Sequence, residues 1–420
     1  MENATGLQKQ KAYDEVEGTG DCSISVIHYL MIRKNGIDVL LEEGGYGELK
    51  ALRWGLVTNN AAFTRSGVPA RKVLVEKDWN IVKLFSPEHG ISAQAEDGQR
   101  QGNVVDLLTG LPVESLYGDS FAPADRSMEE LDGILFDIPD SGCRFYTFLW
   151  TMTHVMESCA KWDKQFVVLD RFNPIGRQLL LAEGPLLDEQ HCSSFIGRWS
   201  IPIRHCCTLG ELAGYFRGTR LPALRLTVAR CDSPPLLPET DPAKLRWTAP
   251  SPSLPDPMNA LLYPGMGLLE GLNVNEGRGT SLPFRVFGAP YLNSYDLAVN
   301  INELRLPGLT ALPFSYVPAW GTYEKMWCHG IQWQVDEPAA CRPVHSMIAV
   351  TRLIDSMYPQ KLEQRAYPTH ANQPGSNHLD RLLGIANAFQ EIRNGDLARF
   401  LTVGDKWNEM IMPYRLYPEF

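Results

Sequence analysis

What most constrains this 420-residue chain is a repeated pattern, rather than a repeated sequence, between about residues 50 and 210. A short β-rich apolar run stops abruptly in polar residues, and a helical stretch follows. The runs are LRWGLVTNN (52–60), NIVKLFSPEHG (80–90), LDGILFDIPDSG (131–142), QFVVLDRFNP (165–174) and IPIRHCCTLGELAGYF (201–216). Segments such as ILF and FVVL are apolar on both faces, which suits strands of a parallel sheet covered by helices. Thr208 and Glu211 spell a capping box, so a helix is expected directly after the fifth run. Repeated β-then-α units predict a doubly wound α/β domain.

Four hundred and twenty residues are more than one core usually serves, so two domains are expected. The character changes after about residue 220, where SPPLLPETDPAKLRWTAPSPSLPDP is too proline-dense for the interior of a regular element. The expected division is a polar extension at 1–35, an α/β domain at 36–230 and a smaller α+β domain at 231–420. In the last of these, GIQWQVDEP alternates like an exposed edge strand. SMIAVTRLIDSMYP and NHLDRLLGIANAFQEIRNG read as amphipathic helices, the second closed by Gly395. A formal charge of −10 argues against a nucleic-acid partner. No apolar run reaches the ~18 residues of a membrane span. The first twenty residues lack the features of a secretory signal, so cytoplasm is the expected compartment. The nine cysteines are odd in number and contain no C-x-x-C, which points to free buried thiols rather than disulfides or a zinc site.

In an open parallel sheet the carboxyl ends of all strands lie on one edge, where ligands bind. The expected strand ends carry Asn59; Glu88 and His89; Asp137, Asp140, Arg144 and Tyr146; Asp170, Arg171 and Asn173; and Arg204 and His205. Helix capping accounts for Asn60, Ser141 and Thr208, because Asp, Asn, Ser and Thr favour such turns, but fits Glu88-His89, Asp140 with Arg144 and Asp170-Arg171 poorly. Asp140 with Arg144 reads equally well as a salt bridge. No G-x-G-x-x-G, no phosphate-binding G-x-x-x-x-G-K-[ST] and no G-x-S-x-G elbow is present, so a dinucleotide, a P-loop and a serine hydrolase are unsupported. His89, Asp137, Asp140 and His205 leave a metal-dependent hydrolase open, though no metal-ligand spacing supports it. The remaining inventory suits acid/base cleavage of a polyhydroxylated, anionic substrate. A non-catalytic sugar-binding protein is the other open reading. NVNEGRGT (273–280) adds Glu276 and Arg278 between glycines, either a surface turn or a lid over the crevice.

A set of segments then occurs in order: LVTNN, LFSPEHGI, FDIPDSGCRFYT, VVLDRFNPIG, EGPLLD, SFIGRWSIPIRHCCTLGELAGYF, YPGMGLLEG, NVNEGRGTSLPF and FGAP. Together they resemble the NamZ-type exo-β-N-acetylmuramidases, also called YbbC-like proteins, from about Gly36 to the C-terminus. The resemblance implies a Rossmann-like domain followed by a smaller domain, with the site in the cleft between them. It implies release of a terminal β-1,4-linked N-acetylmuramic acid from the non-reducing end of peptidoglycan fragments; no cofactor is expected, and recovery of imported wall fragments is the expected role. Carried over, Glu88 is the expected general acid/base, assisted by Asp140 or Asp170. Asn59, His89, Arg144, Tyr146, Arg171, Asn173, His205, Glu276 and Arg278 are the expected substrate-binding set. Pro139, Ser141, Cys143, Cys206 and Cys207 depart from the usual motifs beside the cleft.

Overall fold

Four of the five apolar runs are strands of one sheet in the computed structural model, which describes residues 34–42, 46–96, 98, 99, 102, 104–232, 247–369, 377–401 and 403–418. They are β1 (Trp54–Thr58), β2 (Ile81–Ser86), β5 (Gly133–Asp137) and β6 (Gln165–Leu169). Two short strands, β3 (Val104–Val105) and β4 (Pro112–Ser115), and a later one, β7 (Arg225–Ala229), complete a seven-stranded sheet in the order β3-β4-β2-β1-β5-β6-β7. All neighbours are parallel except β3, which runs antiparallel to β4. β1 lies between β2 on one side and β5 on the other. The winding therefore reverses beside β1, the place where such sheets open a crevice.

The fifth run is not a strand of this sheet. Ile201–Cys207 is buried and irregular, with Cys206 at φ of +55°, and only Arg204 bridges, to Cys143 and Glu183. Pro202 has no N–H for a ladder, and β7 takes the outer place beside β6 instead. The capping box that follows does form: Thr208 accepts the Glu211 N–H, Glu211 accepts the Thr208 N–H, and a helix runs over Leu209–Thr219.

Helices cover the sheet. We label the longer ones α1 (Gly36–Leu41), α2 (Ala70–Glu76), α3 (Asp125–Glu129), α4 (Phe148–Lys161) and α5 (Leu209–Thr219). α4 buries Phe148, Leu149, Trp150, Met152, Val155, Met156 and Cys159. At roughly 1.5–3 kcal/mol for each large apolar side chain, that burial anchors it firmly on β5 and β6.

The remaining residues add α6 (Pro257–Met266), α7 (Ser294–Glu303), α8 (Pro343–Met357), α9 (His378–Leu383), α10 (Ala388–Asn394) and α11 (Gly404–Ile411) around a second sheet of order β8-β10-β9. Its strands are Val286–Ala289, Cys328–Val335 and Leu309–Tyr316. GIQWQVDEP, expected at an edge, supplies the central β10, which pairs on both sides and buries Ile331 and Trp333. The long C-terminal helix expected over 377–395 is two helices, α9 and α10, parted where Gly384 and Asn387 take positive φ of 84° and 56°. One continuous apolar core includes Phe136 of β5, Trp150 of α4, Met266 of α6, Ile348 of α8 and Trp407 of α11. The eight cysteines among the described residues are buried free thiols. No helix of the described residues is long and apolar enough to cross a membrane. The polar extension up to residue 33 and the proline-dense stretch 233–246 lie outside the described residues.

Candidate active site

Beyond the last residue of β2 the chain turns sharply. Gly90 donates to the Pro87 carbonyl at 3.0 Å, and His89 and Gly90 take φ of +67° and +69°. A positive φ is uncommon for histidine and is held here by its surroundings. His89 Nδ1 lies 2.7 Å from the Ala95 carbonyl oxygen, and its ring meets Phe148 edge-on. The turn carries Glu88 into a hollow with about 610 Å³ of atom-free space, counting the part open to solvent.

Glu88 is 7% exposed and both of its oxygens are engaged. Oε1 accepts the Gly98 N–H at 2.9 Å, and Oε2 accepts the Thr147 hydroxyl at 2.7 Å from the residue just before α4. Gly98 also brings the two halves together. Its φ is +72°, and a Cβ there would sit 2.7 Å from that of Thr369, another lining residue.

The opposite contribution comes from the second half. Arg278 stands between Gly277 and Gly279, with φ of +84° and +79°. A Cβ on either glycine would meet backbone oxygen, of Leu282 at 2.6 Å or of Trp320 at 2.4 Å, so this close passage requires glycine. The guanidinium NH1 donates to Glu270 at 2.6 Å and to Glu276 at 3.2 Å, and the group lies over the Phe284 ring. His378 Nε2 lies 3.6 Å from the other Glu270 oxygen, and its ring stacks on Tyr367. Burial alone would raise the Glu270 carboxyl, but Arg278 and His378 hold it down at about 2. Glu276 responds the other way: burial raises it, opposed by the same Arg278. Glu270, Arg278 and His378 all line the hollow with Glu88.

Of the residues expected from sequence, Glu88, His89, Tyr146 and Arg278 line this hollow, and the others do not. Asp170 is enclosed at the start of α5, accepting from Tyr417 Oη, Thr208 Oγ1 and Gly210 N at 2.6, 2.7 and 2.8 Å. Burial pushes its carboxyl up to about 6 despite these donors. Asp140 accepts the Gly142 N–H and faces His205 Nε2 at 3.2 Å. His205 takes the Cys207 N–H on Nδ1, which leaves the proton of a neutral ring on Nε2, toward Asp140. Arg144 does not pair with Asp140. It is fully buried and donates to the carbonyls of Pro185, Ile201 and Leu382, and burial lowers it to about 10. Arg171 is held bidentately by Asp137 at 2.6 and 3.0 Å. Asn173 bonds the Cys207 carbonyl and the Ile175 N–H, and Asn59 accepts from Ala61. Glu276 sits behind Arg278 rather than on the hollow.

Glu270 is the lining carboxylate that strand-end reasoning missed. It lies in a 3-10 turn, Gly267–Gly271, that follows α6 instead of a strand. Its one sequence signal was its place in YPGMGLLEG. The four groups considered for a metal do not converge: Asp137 is bound to Arg171, Asp140 faces His205, and His89 is turned to a carbonyl. Among the described residues no three His, Cys, Asp or Glu gather as a metal-holding group.

Comparison with known proteins gives concordant matches. The N-terminal family model of exo-β-N-acetylmuramidase NamZ matches residues 54–258, and its C-terminal model matches 261–417. The peptidoglycan β-N-acetylmuramidase NamZ of Bacillus subtilis (strain 168) is 37% identical over 331 residues, which is 79% of each chain. Two crystal structures of DUF1343 family proteins from Bacteroides fragilis superpose with TM-scores of 0.81 and 0.70, at 28% and 27% identity. Each covers 92% of this chain, with 100% and 99% of the other chain matched.

Proposed function

Since the chain belongs to the NamZ family of exo-β-N-acetylmuramidases, we propose that it releases a terminal β-1,4-linked N-acetylmuramic acid from the non-reducing end of peptidoglycan fragments. Glu88 is the general acid/base in this reading. One observation carries it: a buried carboxylate with fixed orientation shares a partly enclosed hollow with a guanidinium, a proton donor for the leaving oxygen beside a partner for the substrate's negative charge. Thr147 and Gly98 hold the Glu88 carboxyl at a set angle, so that it protonates the leaving glycosidic oxygen without first having to reorient.

Arg278 meets the lactyl carboxylate of the sugar, and Glu270 fixes the guanidinium in place. The carboxylate that orients the substrate's N-acetyl group toward the anomeric carbon is Glu270 in this scheme, because it lines the hollow and Asp140 and Asp170 do not. Arg144 and Arg171 are held by carbonyls and by Asp137 away from the hollow, whereas Arg278 lines it.

The test is hydrolysis of a chromogenic β-N-acetylmuramide beside its β-N-acetylglucosaminide counterpart, with and without chelator. Cleavage of the muramide alone, insensitive to chelator and abolished in Glu88→Gln, is the expected result. Equal cleavage of the glucosaminide overturns the specificity, and near-normal activity of Glu88→Gln overturns the catalytic assignment.

A further inference from the structure

An enzyme that removes one sugar from a chain end has to accommodate the rest of the chain somewhere. With the terminal sugar in the hollow around Glu88, the saccharide beyond the scissile bond leaves it and runs over the neighbouring surface. That surface is not uniform. The loop between β9 and β10, residues 317–327, carries Val317, Trp320, Met326 and Trp327, all exposed. Of the ten tryptophans in the chain, only Trp320 and Trp327 are exposed, at 45% and 63%. The other eight contribute to packing. Leaving two indoles in water on one loop loses their burial energy.

The loop is also fixed in place. Inside it, Lys325 N donates to the Pro318 carbonyl at 2.8 Å and Met326 N to the Tyr323 carbonyl at 3.0 Å. It is fastened to the segment that carries Arg278: Ala319 N donates to the Gly279 carbonyl at 2.8 Å, Asn275 Nδ2 to the Thr322 carbonyl at 3.0 Å, and Tyr323 Oη to the Asn273 carbonyl at 2.9 Å. Arg365, two residues before the lining residue Tyr367, bonds the Thr322 hydroxyl. The backbone of Trp320 is thus packed against Gly279, the immediate neighbour of Arg278. Trp327 is held flat by stacking on His329, with 7° between the rings, and His329 bonds Ser315.

We propose that Trp320 and Trp327 form a stacking platform for the sugar residues on the reducing side of the bond that is cleaved. Pyranose rings present a face of C–H groups, and a rigid indole receives that face with little loss of side-chain freedom. The occupant is a neutral acetamido sugar of the glycan chain. The platform rests on the reading of the Glu88 hollow as the place of the terminal muramic acid.

The experiment compares wild type with Trp320→Ala, Trp327→Ala and the double variant on two substrates. One is a chromogenic β-N-acetylmuramide, whose leaving group ends at the mouth of the hollow. The other is a tetrasaccharide of alternating N-acetylmuramic acid and N-acetylglucosamine. In the double variant KM for the tetrasaccharide is expected to rise about tenfold, corresponding to about 1.4 kcal/mol, with the chromogenic substrate and the melting temperature unchanged. Trp327→Phe restores part of the loss. An equal change on both substrates, or none on the tetrasaccharide, overturns the platform. Binding of an N-acetylglucosamine trisaccharide, followed by calorimetry, keeps the two ideas apart. If wild type cleaves neither substrate yet binds the trisaccharide and the double variant does not, the assigned activity fails while the platform stands.

Discussion

At the wall of the hollow, Arg278 divides its guanidinium between two carboxylates of opposite behaviour. Glu270 is held ionised with its carboxyl at about 2, while burial raises Glu276. The planar fork makes several directed contacts at once, which a lysine ammonium cannot reproduce in the same geometry. Arg278→Lys is therefore expected to raise KM for a β-N-acetylmuramide about tenfold with kcat within about threefold of wild type. Steady-state kinetics at fixed pH checks this, and an unchanged KM would remove Arg278 from carboxylate recognition. Residues of this kind were only partly legible. The place of Glu88 on the hollow was readable because it follows an apolar run at the carboxyl edge of the sheet. Asp170 and Asn173 are indistinguishable from it in sequence, since the strand end that can face a ligand is also where the next helix needs a cap. Arg144 could be assigned only from the fold, because its partners are carbonyls up to 238 residues away.

Among the elements, α5 was the most predictable. Thr208 and Glu211 satisfy each other's backbone N–H groups at its start, and Asp170 adds an acceptor for Thr208 Oγ1 and Gly210 N. Thr208→Ala removes one cap and leaves an oxygen of Asp170 short of a donor. The loss is expected to be about 1–2 kcal/mol in urea-induced unfolding, at the upper end for a cap. A change below a few tenths would show that the Tyr417 hydroxyl alone satisfies Asp170. The strand before α5 was misjudged for a physical reason: IPI has the composition of a strand, but Pro202 cannot donate to a ladder and the following Arg204 pairs with buried Glu183. β10 was misplaced because alternation marks one covered face without reporting whether both edges are paired.

For the molecule as a whole, acid–base balance sets a pH window. Burial pushes Glu183 up to about 7 and Asp170 up to about 6, while Glu270 is held at about 2. Unfolded carboxyls titrate near ~4. The first two therefore bind protons more tightly in the folded chain, and their stabilisation, complete below pH ~4, is lost as pH rises through 6 and 7. Glu270 works in the other direction, and its stabilisation is lost as pH falls from ~4 toward 2. Glu183→Gln is expected to keep the His345 N–H contact at 3.0 Å and to flatten the fall in melting temperature between pH 5 and 7. A slope equal to wild type would place that titration elsewhere. The parallel α/β class was visible in the spacing of apolar runs. The single core joining β5, α4, α6, α8 and α11 was not, because a chain pattern shows which faces are apolar but not which faces meet.

The turn at His89 has a consequence for anyone selecting variants of this chain. Glycine at position 89 would adopt φ of +67° without steric cost, but it would leave the Ala95 carbonyl and the Phe148 ring without the imidazole they meet. Backbone ease and side-chain packing therefore pull in opposite directions at this one position.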